Sequence, residues 1–435
     1  MRTLTNVVRR SAGLLARTRA DLDLGSLEDP RDPRGRRWKL ASLLTALLSG
    51  LVAGCNSLTD VEMLTERMSL AVRRKLSIPR RVPDTTLRGL VMRLGLDALR
   101  GLIRRQVRQA HRRKALVPVG LPCGVVAIDG RSTKTNMADP DHAQSIKDGS
   151  YHLVRTLTSA LVSSRSTVCL DAMPIPPTTN EVGCFKDAFN ALLAAYGHGD
   201  LFEVVTADAG LTSKENADHV NAANLGYVFA IKDNQPALLD EAVRILGKLG
   251  PTEAAATSEQ TLTKSREEVV VRRIWITTEM AGWNDWSHLR VAIRVEREVT
   301  GRHASKESRY FISNVPRHRF TDKQWLQLIR HHWRVENDCH KTWDVSMAED
   351  DRPWLRDPYG MLVTQLLRRI AYNALALFRS VTVRAEDERG LIPWRTLMSN
   401  IRHTIEVATD LQLDGLRWVP RPGAAALGSP PPLRC

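Results

Sequence analysis

The six cysteines, Cys55, Cys123, Cys169, Cys184, Cys339 and Cys435, are scattered along 435 residues and never form a C-x-x-C pair. That argues against a zinc knuckle or a disulfide framework and suits a reducing compartment. Long apolar runs are missing too. The longest, around Leu40 to Ala53, is broken by Ser42, Thr45, Ser49 and Gly50. It is short for a membrane span and reads as a buried helix, so no membrane partner is expected. Arg9 and Arg10 ahead of Ser11-Ala12-Gly13-Leu14-Leu15-Ala16 have the outline of a leader, but Arg17 ends the apolar stretch. The expected location is the cytoplasm, at the nucleoid. Internal repeats are absent.

Hydrophobic residues make up 43% and charged residues 26%, the composition of a soluble globular chain, and 435 residues call for two or three packed units. Acidic residues are the minority charge: 63 Lys and Arg against 48 Asp and Glu leave +15. A charge of that size fits a polyanionic partner, since each cation that neutralises a phosphate releases a condensed counterion. The bland alternative is a basic, soluble surface.

The chain changes character along its length. Residues 1–115 read as helical and basic. A charged lead-in, Pro30-Arg31-Asp32-Pro33-Arg34-Gly35-Arg36-Arg37, precedes a helix from about Trp38, a second helix covers Leu58 to Ser69, and Pro83-Asp84-Thr85-Thr86 looks like a helix cap. Short helices with arginines are compatible with a helix-turn-helix DNA reader or with an ordinary bundle. Residues 120–236 alternate strand-like and helical runs, which predicts a mixed α/β sheet with helices packed on it. Residues 237–315 are polar at first and then strand-rich, a β-rich insertion. Residues 316–380 return to helices, one continuing from near Asp322 past Glu336 and one from Tyr359 to Phe378. Residues 381–435 form an extension whose Pro- and Gly-rich end, Pro420 to Cys435, is expected to be disordered.

Two runs share one form: apolar strand, Asp, small residue. They are Val125-Val126-Ala127-Ile128-Asp129-Gly130 and Val204-Val205-Thr206-Ala207-Asp208-Ala209. An aspartate at the C-terminal end of a buried strand is held rigidly at the sheet rim, and two such strands side by side offer paired carboxylates to a hard cation. Alone, either Asp reads equally as a turn residue. The third element is Arg330-His331-His332-Trp333-Arg334-Val335-Glu336-Asn337-Asp338-Cys339-His340-Lys341. On an α-helix His332, Glu336 and His340 share one face, with Trp333 and Trp343 beside it. Glu336 could complete a three-carboxylate site. Alternatively, the two histidines and Glu336 could hold zinc, although the H-E-x-x-H spacing is absent, or the helix could be merely amphipathic.

Seven segments occur in a telling order: Ala127-Ile128-Asp129-Gly130-Arg131-Ser132, Tyr151-His152-Leu153-Val154, Thr179-Asn180-Glu181-Val182, Val205-Thr206-Ala207-Asp208-Ala209, Ala230-Ile231-Lys232-Asp233-Asn234-Gln235, Arg309-Tyr310-Phe311-Ile312-Ser313 and His332-Trp333-Arg334-Val335-Glu336-Asn337. Together they resemble the H-repeat-associated group of bacterial DDE insertion-sequence transposases, over roughly residues 28–380. The resemblance implies an RNase H-like catalytic domain interrupted by the β-rich insertion, with a separate N-terminal helical domain. It also implies a catalytic and metal-binding triad of Asp129, Asp208 and Glu336 holding two Mg²⁺ or Mn²⁺ ions per site, with Asp129 bridging both. The implied reaction is cleavage at transposon ends and joining of the freed 3′-OH to target DNA, both in-line displacements at phosphorus. Implied partners are double-stranded DNA, as terminal inverted repeats and as target, and a second copy of the chain on that DNA.

The sequence departs from transposases with a Tyr-Arg-Glu-Lys signature, since His332 and Trp343 stand where those have Arg and Lys. Phosphate contacts are therefore sought at Arg131, Lys232, Arg334 and Lys341, and support for the carboxylates at His332, Trp333, Asn337 and His340. A catalytically idle DNA-binding descendant and a stand-alone metal nuclease of the same fold are the competing functions.

Overall fold

The computed structural model describes residues 2–197, 201–262, 268–286, 288–301, 303–382 and 392–419. The first part is helical: α1 (Arg2–Leu22), α2 (Leu40–Val52), α3 (Leu58–Arg67), α4 (Leu70–Leu76), α5 (Asp84–Val91) and α6 (Leu96–Arg112). Two starts, those of α3 and α4, are set by side-chain caps, whereas α5 begins behind Pro83 without the side-chain cap expected there. Ser57 accepts from the Asp60 amide and Ser69 from the Val72 amide, each satisfying a donor that the first helical turn leaves unpaired. α2 is buried on nearly every face, and its hydroxyls are quenched locally: Thr45 donates to the Ala41 carbonyl and Ser42 to the Ser77 carbonyl. The apolar stretch expected to be a buried helix is thus one, at the centre of this bundle. Among the described residues no helix is long and apolar enough to cross a membrane. The leader-like stretch lies within α1, where Val8, Ala12, Leu15 and Ala16 are buried.

The second part is built on β1 (Val125–Thr135), β2 (Gln144–Ser145), β3 (His152–Leu161), β4 (Val168–Pro174), α7 (Glu181–Tyr196), β5 (Val204–Ala207), α8 (Lys214–Ala222) and β6 (Gly226–Ile231). The central order is β4-β3-β1-β5-β6, with β3 antiparallel to both neighbours and β1, β5 and β6 parallel. This is the expected RNase H-like arrangement. After α9 (Pro236–Leu246) come β7 (Ala256–Leu262), β8 (Glu268–Thr277), β9 (Val291–Thr300) and β10 (Ser305–Ser313). The strand-rich segment extends the same sheet: β10 pairs antiparallel with β6, and β9, β8 and β7 follow in turn.

The chain closes with α10 (Asp322–His332), α11 (Lys341–Val345), α12 (Pro358–Leu377), α13 (Trp394–Val407) and α14 (Asp410–Leu413). α12 is buried along its length against α6, α2 and β4. Its Asn373 takes the place of a strand partner, accepting from the Cys169 amide at 2.8 Å and donating to the Cys169 carbonyl at 2.7 Å. α6 ties the helical part to the sheet through Arg100, whose guanidinium grips the buried Asp171 of β4 with two 2.8 Å bonds. From the C-terminal extension, α13 packs Leu397, Met398, Ile401 and Ile405 into the same core, against α1 and α3. The five described cysteines are buried free thiols. Cys435 and the tail from 420 lie outside the described residues.

Candidate active site

Ile128 opposite Ala207 is the last rung of the parallel β1–β5 ladder, so the next residues, Asp129 and Asp208, leave it side by side. Adjacent strands are about 4.8 Å apart, which brings both carboxylates to one place. The two chains then diverge. β1 does not end at Asp129 as the apolar run suggests: it continues to Thr135, paired with β3, Asp129 lying opposite Thr158. β5 does end, and the Asp208 carboxylate caps the following turn by accepting from the Leu211 amide at 3.1 Å.

Glu336 does not come from a continuous α-helix. α10 stops at His332, and Val335–His340 winds as a π-helix before α11 begins. The wider turn is a common device at functional sites, and it replaces the i, i+4, i+8 row expected for His332, Glu336 and His340. His332 is buried, with Nδ1 3.0 Å from the Thr206 hydroxyl of β5. His340 is buried with Nδ1 3.4 Å from an Asp129 oxygen. Glu336 is exposed but close enough to act on Asp129 electrostatically. Burial, then the charges of Asp208, Glu336 and Glu181, push the Asp129 carboxyl up to about 7. Burial, then Arg131 and Arg369, depress His340 to about 3, so it faces Asp129 as a neutral imidazole.

Glu181 belongs to one of the seven motif segments, yet nothing in the sequence assigns it a role. It opens α7 behind the Asn180 cap, and burial and the charge of Asp208 raise its carboxyl. Its carboxylate fills the space beside the Gly130 backbone: a Cβ on Gly130 would lie 2.0 Å from Oε1. The glycine after Asp129 leaves room for it but does not single it out in the sequence.

Two of the four expected phosphate contacts are committed internally. Arg131 is buried and bonds Glu349 at 3.0 Å, Asp350 at 2.9 Å, and Asp344. Arg334 donates to the carbonyls of Val162, Ser164 and Arg165 and to Asp338, pinning the π-turn onto the loop after β3. Lys232 and Lys341 are exposed. Asn337 bonds back to the Trp333 carbonyl at 2.9 Å, and Trp333 carries the Arg309 guanidinium 4.8 Å from its ring centre. Behind the site, Trp343 lies between the His340 ring, 5.2 Å away, and the Arg369 guanidinium, 3.5 Å away. Arg369 in turn holds Glu349.

The fold is thus an RNase H-like sheet with aspartates leaving two adjacent parallel strands and a glutamate arriving from a helical turn. The chain belongs to the DDE transposase family: residues 123–354 match the Transposase DDE domain and residues 23–105 the DDE_Tnp_1-associated domain. It is 25% identical over 263 residues to YbfL of Escherichia coli K12, and 25% identical over 265 residues to YhhI of the same organism, named as an H repeat-associated candidate transposase. Both alignments cover 58% of this chain and 64% of the relative's own length. A structure of piggyBac transposase in a synaptic complex with hairpin DNA aligns with 96% of this chain and 85% of that one, at a TM-score of 0.40 and 14% identity.

Proposed function

We propose that the chain is a DNA transposase that cleaves transposon ends and joins the freed 3′-OH to target DNA. The observation that carries this reading is that Asp129 and Asp208 follow the last rung of one parallel ladder and that the charge of Glu336, from a third element, reaches Asp129, all within the segment matched by the family. The donor chemistry suits cations: the charges of Asp208, Glu336 and Glu181 all act on Asp129, whose contact with His340 is to a neutral imidazole. Among the described residues no three of these side chains are yet arranged to hold an ion, so binding would draw them together. Asp129, Asp208 and Glu336 would hold Mg²⁺ or Mn²⁺, whose preference is for oxygen ligands, with Glu181 as a fourth carboxylate. When bound, two such ions supply an activated attacking oxygen and a stabilised leaving oxygen at phosphorus.

The protein's own part is positioning. The β1–β5 ladder fixes Asp129 and Asp208, the Asp208 cap restrains its carboxylate, and Arg334 fixes the turn that carries Glu336. His340 lies against Asp129 as a neutral imidazole. Exposed Lys232 and Lys341 would contact phosphates. Residues 1–115 form the DNA-recognising unit in this reading, with residues 120–236 and 316–380 as the catalytic domain around the strand-rich 237–315. Two copies would assemble on paired DNA ends. The reading is tested by incubating the protein with duplex DNA carrying the element's own ends, with Mg²⁺ or with chelator. Nicked ends and joined products that require the metal are expected; metal-independent products, or none, would contradict it.

A further inference from the structure

Strands β8 to β10 carry a feature that the carboxylate cluster does not require. Arg272 of β8 stands directly opposite Arg297 of β9. Like charges in that position repel and destabilise a sheet. The next partner across is Glu307 of β10, but its carboxylate is taken by Arg309 at 2.6 Å. α10 crosses this face of the sheet and adds Arg330. The four arginines line a cleft of about 400 Å³. Arg272 has an Nη1 that is buried and without a hydrogen-bond partner. Burial, then the charges of Arg330 and Arg297, lower its pKa. Trp333 and Asn337 also line the cleft, and in sequence they lie either side of Glu336.

We propose that this arginine cleft binds the phosphodiester backbone of DNA next to the carboxylate cluster. The inference rests on the reading of the chain as a DNA-processing enzyme. A planar guanidinium presents paired donors that match two phosphate oxygens. A phosphate between Arg272 and Arg297 converts their repulsion into two charge-assisted contacts. Arg309, held by Glu307 and the Trp333 ring, and Arg330 from α10 extend the track along the strand. The strands added beyond β6 would then form one wall of the DNA path, with α10 as the other.

The test compares wild-type protein with an Arg272→Gln, Arg297→Gln double variant for binding to a fluorescein-labelled random-sequence duplex over a series of salt concentrations. Removing opposed like charges should leave the melting temperature unchanged or higher. Affinity at low salt should fall on the order of tenfold, and the slope of log K against log salt should become shallower by about 0.9 for each phosphate that is no longer neutralised. Arg272→Lys, Arg297→Lys should keep the wild-type salt slope, because the charge is retained, but lose part of the affinity with the paired donors. In the wild-type protein, bound duplex should protect Arg272 and Arg330 from phenylglyoxal, read by mass spectrometry; this arm stands even where a variant fails to fold. Unchanged affinity and slope in the double variant, or arginines modified equally with and without duplex, would overturn the cleft while leaving the transposase reading intact. Wild-type protein that binds no duplex would instead remove that reading and the cleft with it.

Discussion

Gly130 has no side chain where Glu181 needs room: a Cβ there would sit 2.0 Å from Glu181 Oε1 and 2.5 Å from Oε2. The glycine following Asp129 therefore lets a fourth carboxylate, from the start of α7, approach the strand that carries the first. Gly130→Ala should displace the Glu181 head group, which can swing aside because it is the far end of a flexible chain. The expected result is a melting temperature within a few degrees of wild type, corresponding to about 1 kcal/mol or less, with weakened Mn²⁺ binding. Titration of Mn²⁺ by electron paramagnetic resonance checks this, with Glu181→Gln as the companion. Wild-type Mn²⁺ affinity in both variants would contradict it.

Glu349 anchors the scaffold behind the site. Burial alone would raise its carboxyl, but Arg369 and Arg131 overcome that and bring it to about 2, against an ordinary value of 4.5. A depressed acid contributes stability that is present above the unfolded pKa and lost as pH falls through the folded one. The window is thus from about pH 4.5 down to about 2, with on the order of 3 kcal/mol at stake. Glu349→Gln leaves two buried guanidinium groups short of a counter-charge and should cost about 3–5 kcal/mol at neutral pH. Denaturant melts of both proteins across pH provide the check; the variant should lose less than wild type on acidification.

The two histidines around Glu336 separate a magnesium site from a zinc site. His332 Nδ1 is already engaged with Thr206, and His340 lies against Asp129. The purified protein should carry no stoichiometric zinc by elemental analysis. A His332→Ala, His340→Ala double variant should still bind Mn²⁺ but turn over more slowly, because the contacts of His332 with Thr206 and of His340 with Asp129 are gone. One tightly bound zinc that disappears in the double variant would reassign this segment.

The C-terminal helices are part of the core of the helical domain. Ile401 is fully buried on α13, which packs against α1. Ile401→Ala should cost about 2–5 kcal/mol in an equilibrium denaturant melt. A change within error would mean that α13 is not docked in solution.

What the sequence makes legible follows the strength of local signals. β6 and α7 realise the alternation expected of residues 120–236, because Gly226 and the Asn180 cap mark their starts and apolar runs fill them. Asp129 and Asp208 are legible as a pair since both follow buried runs. β7 escapes notice because Ala-Thr-Ser-Glu-Gln-Thr-Leu is polar and lies at the sheet edge, paired only with β8. α9 sits in a stretch that reads as polar, although Leu238, Ala242, Ile245 and Leu246 are spaced for a helix behind Pro236 at its first turn. The π-turn has no sequence mark, being fixed by Arg334 on distant carbonyls. The internal engagement of Arg131, the approach of Glu181 to Gly130 and the opposition of Arg272 and Arg297 all depend on tertiary register, which spacing along the chain does not encode.

The central claim is that Asp129, Asp208 and Glu336 act together on DNA strands through bound divalent ions. Gel assay of end cleavage in Mg²⁺ with Asp129→Asn, Asp208→Asn and Glu336→Gln addresses it directly, alongside duplex binding and thermal melts of the same preparations. Each substitution should abolish cleavage while folding and DNA binding persist. Substantial cleavage by any of the three, from protein that is folded and binds DNA, would contradict the assignment.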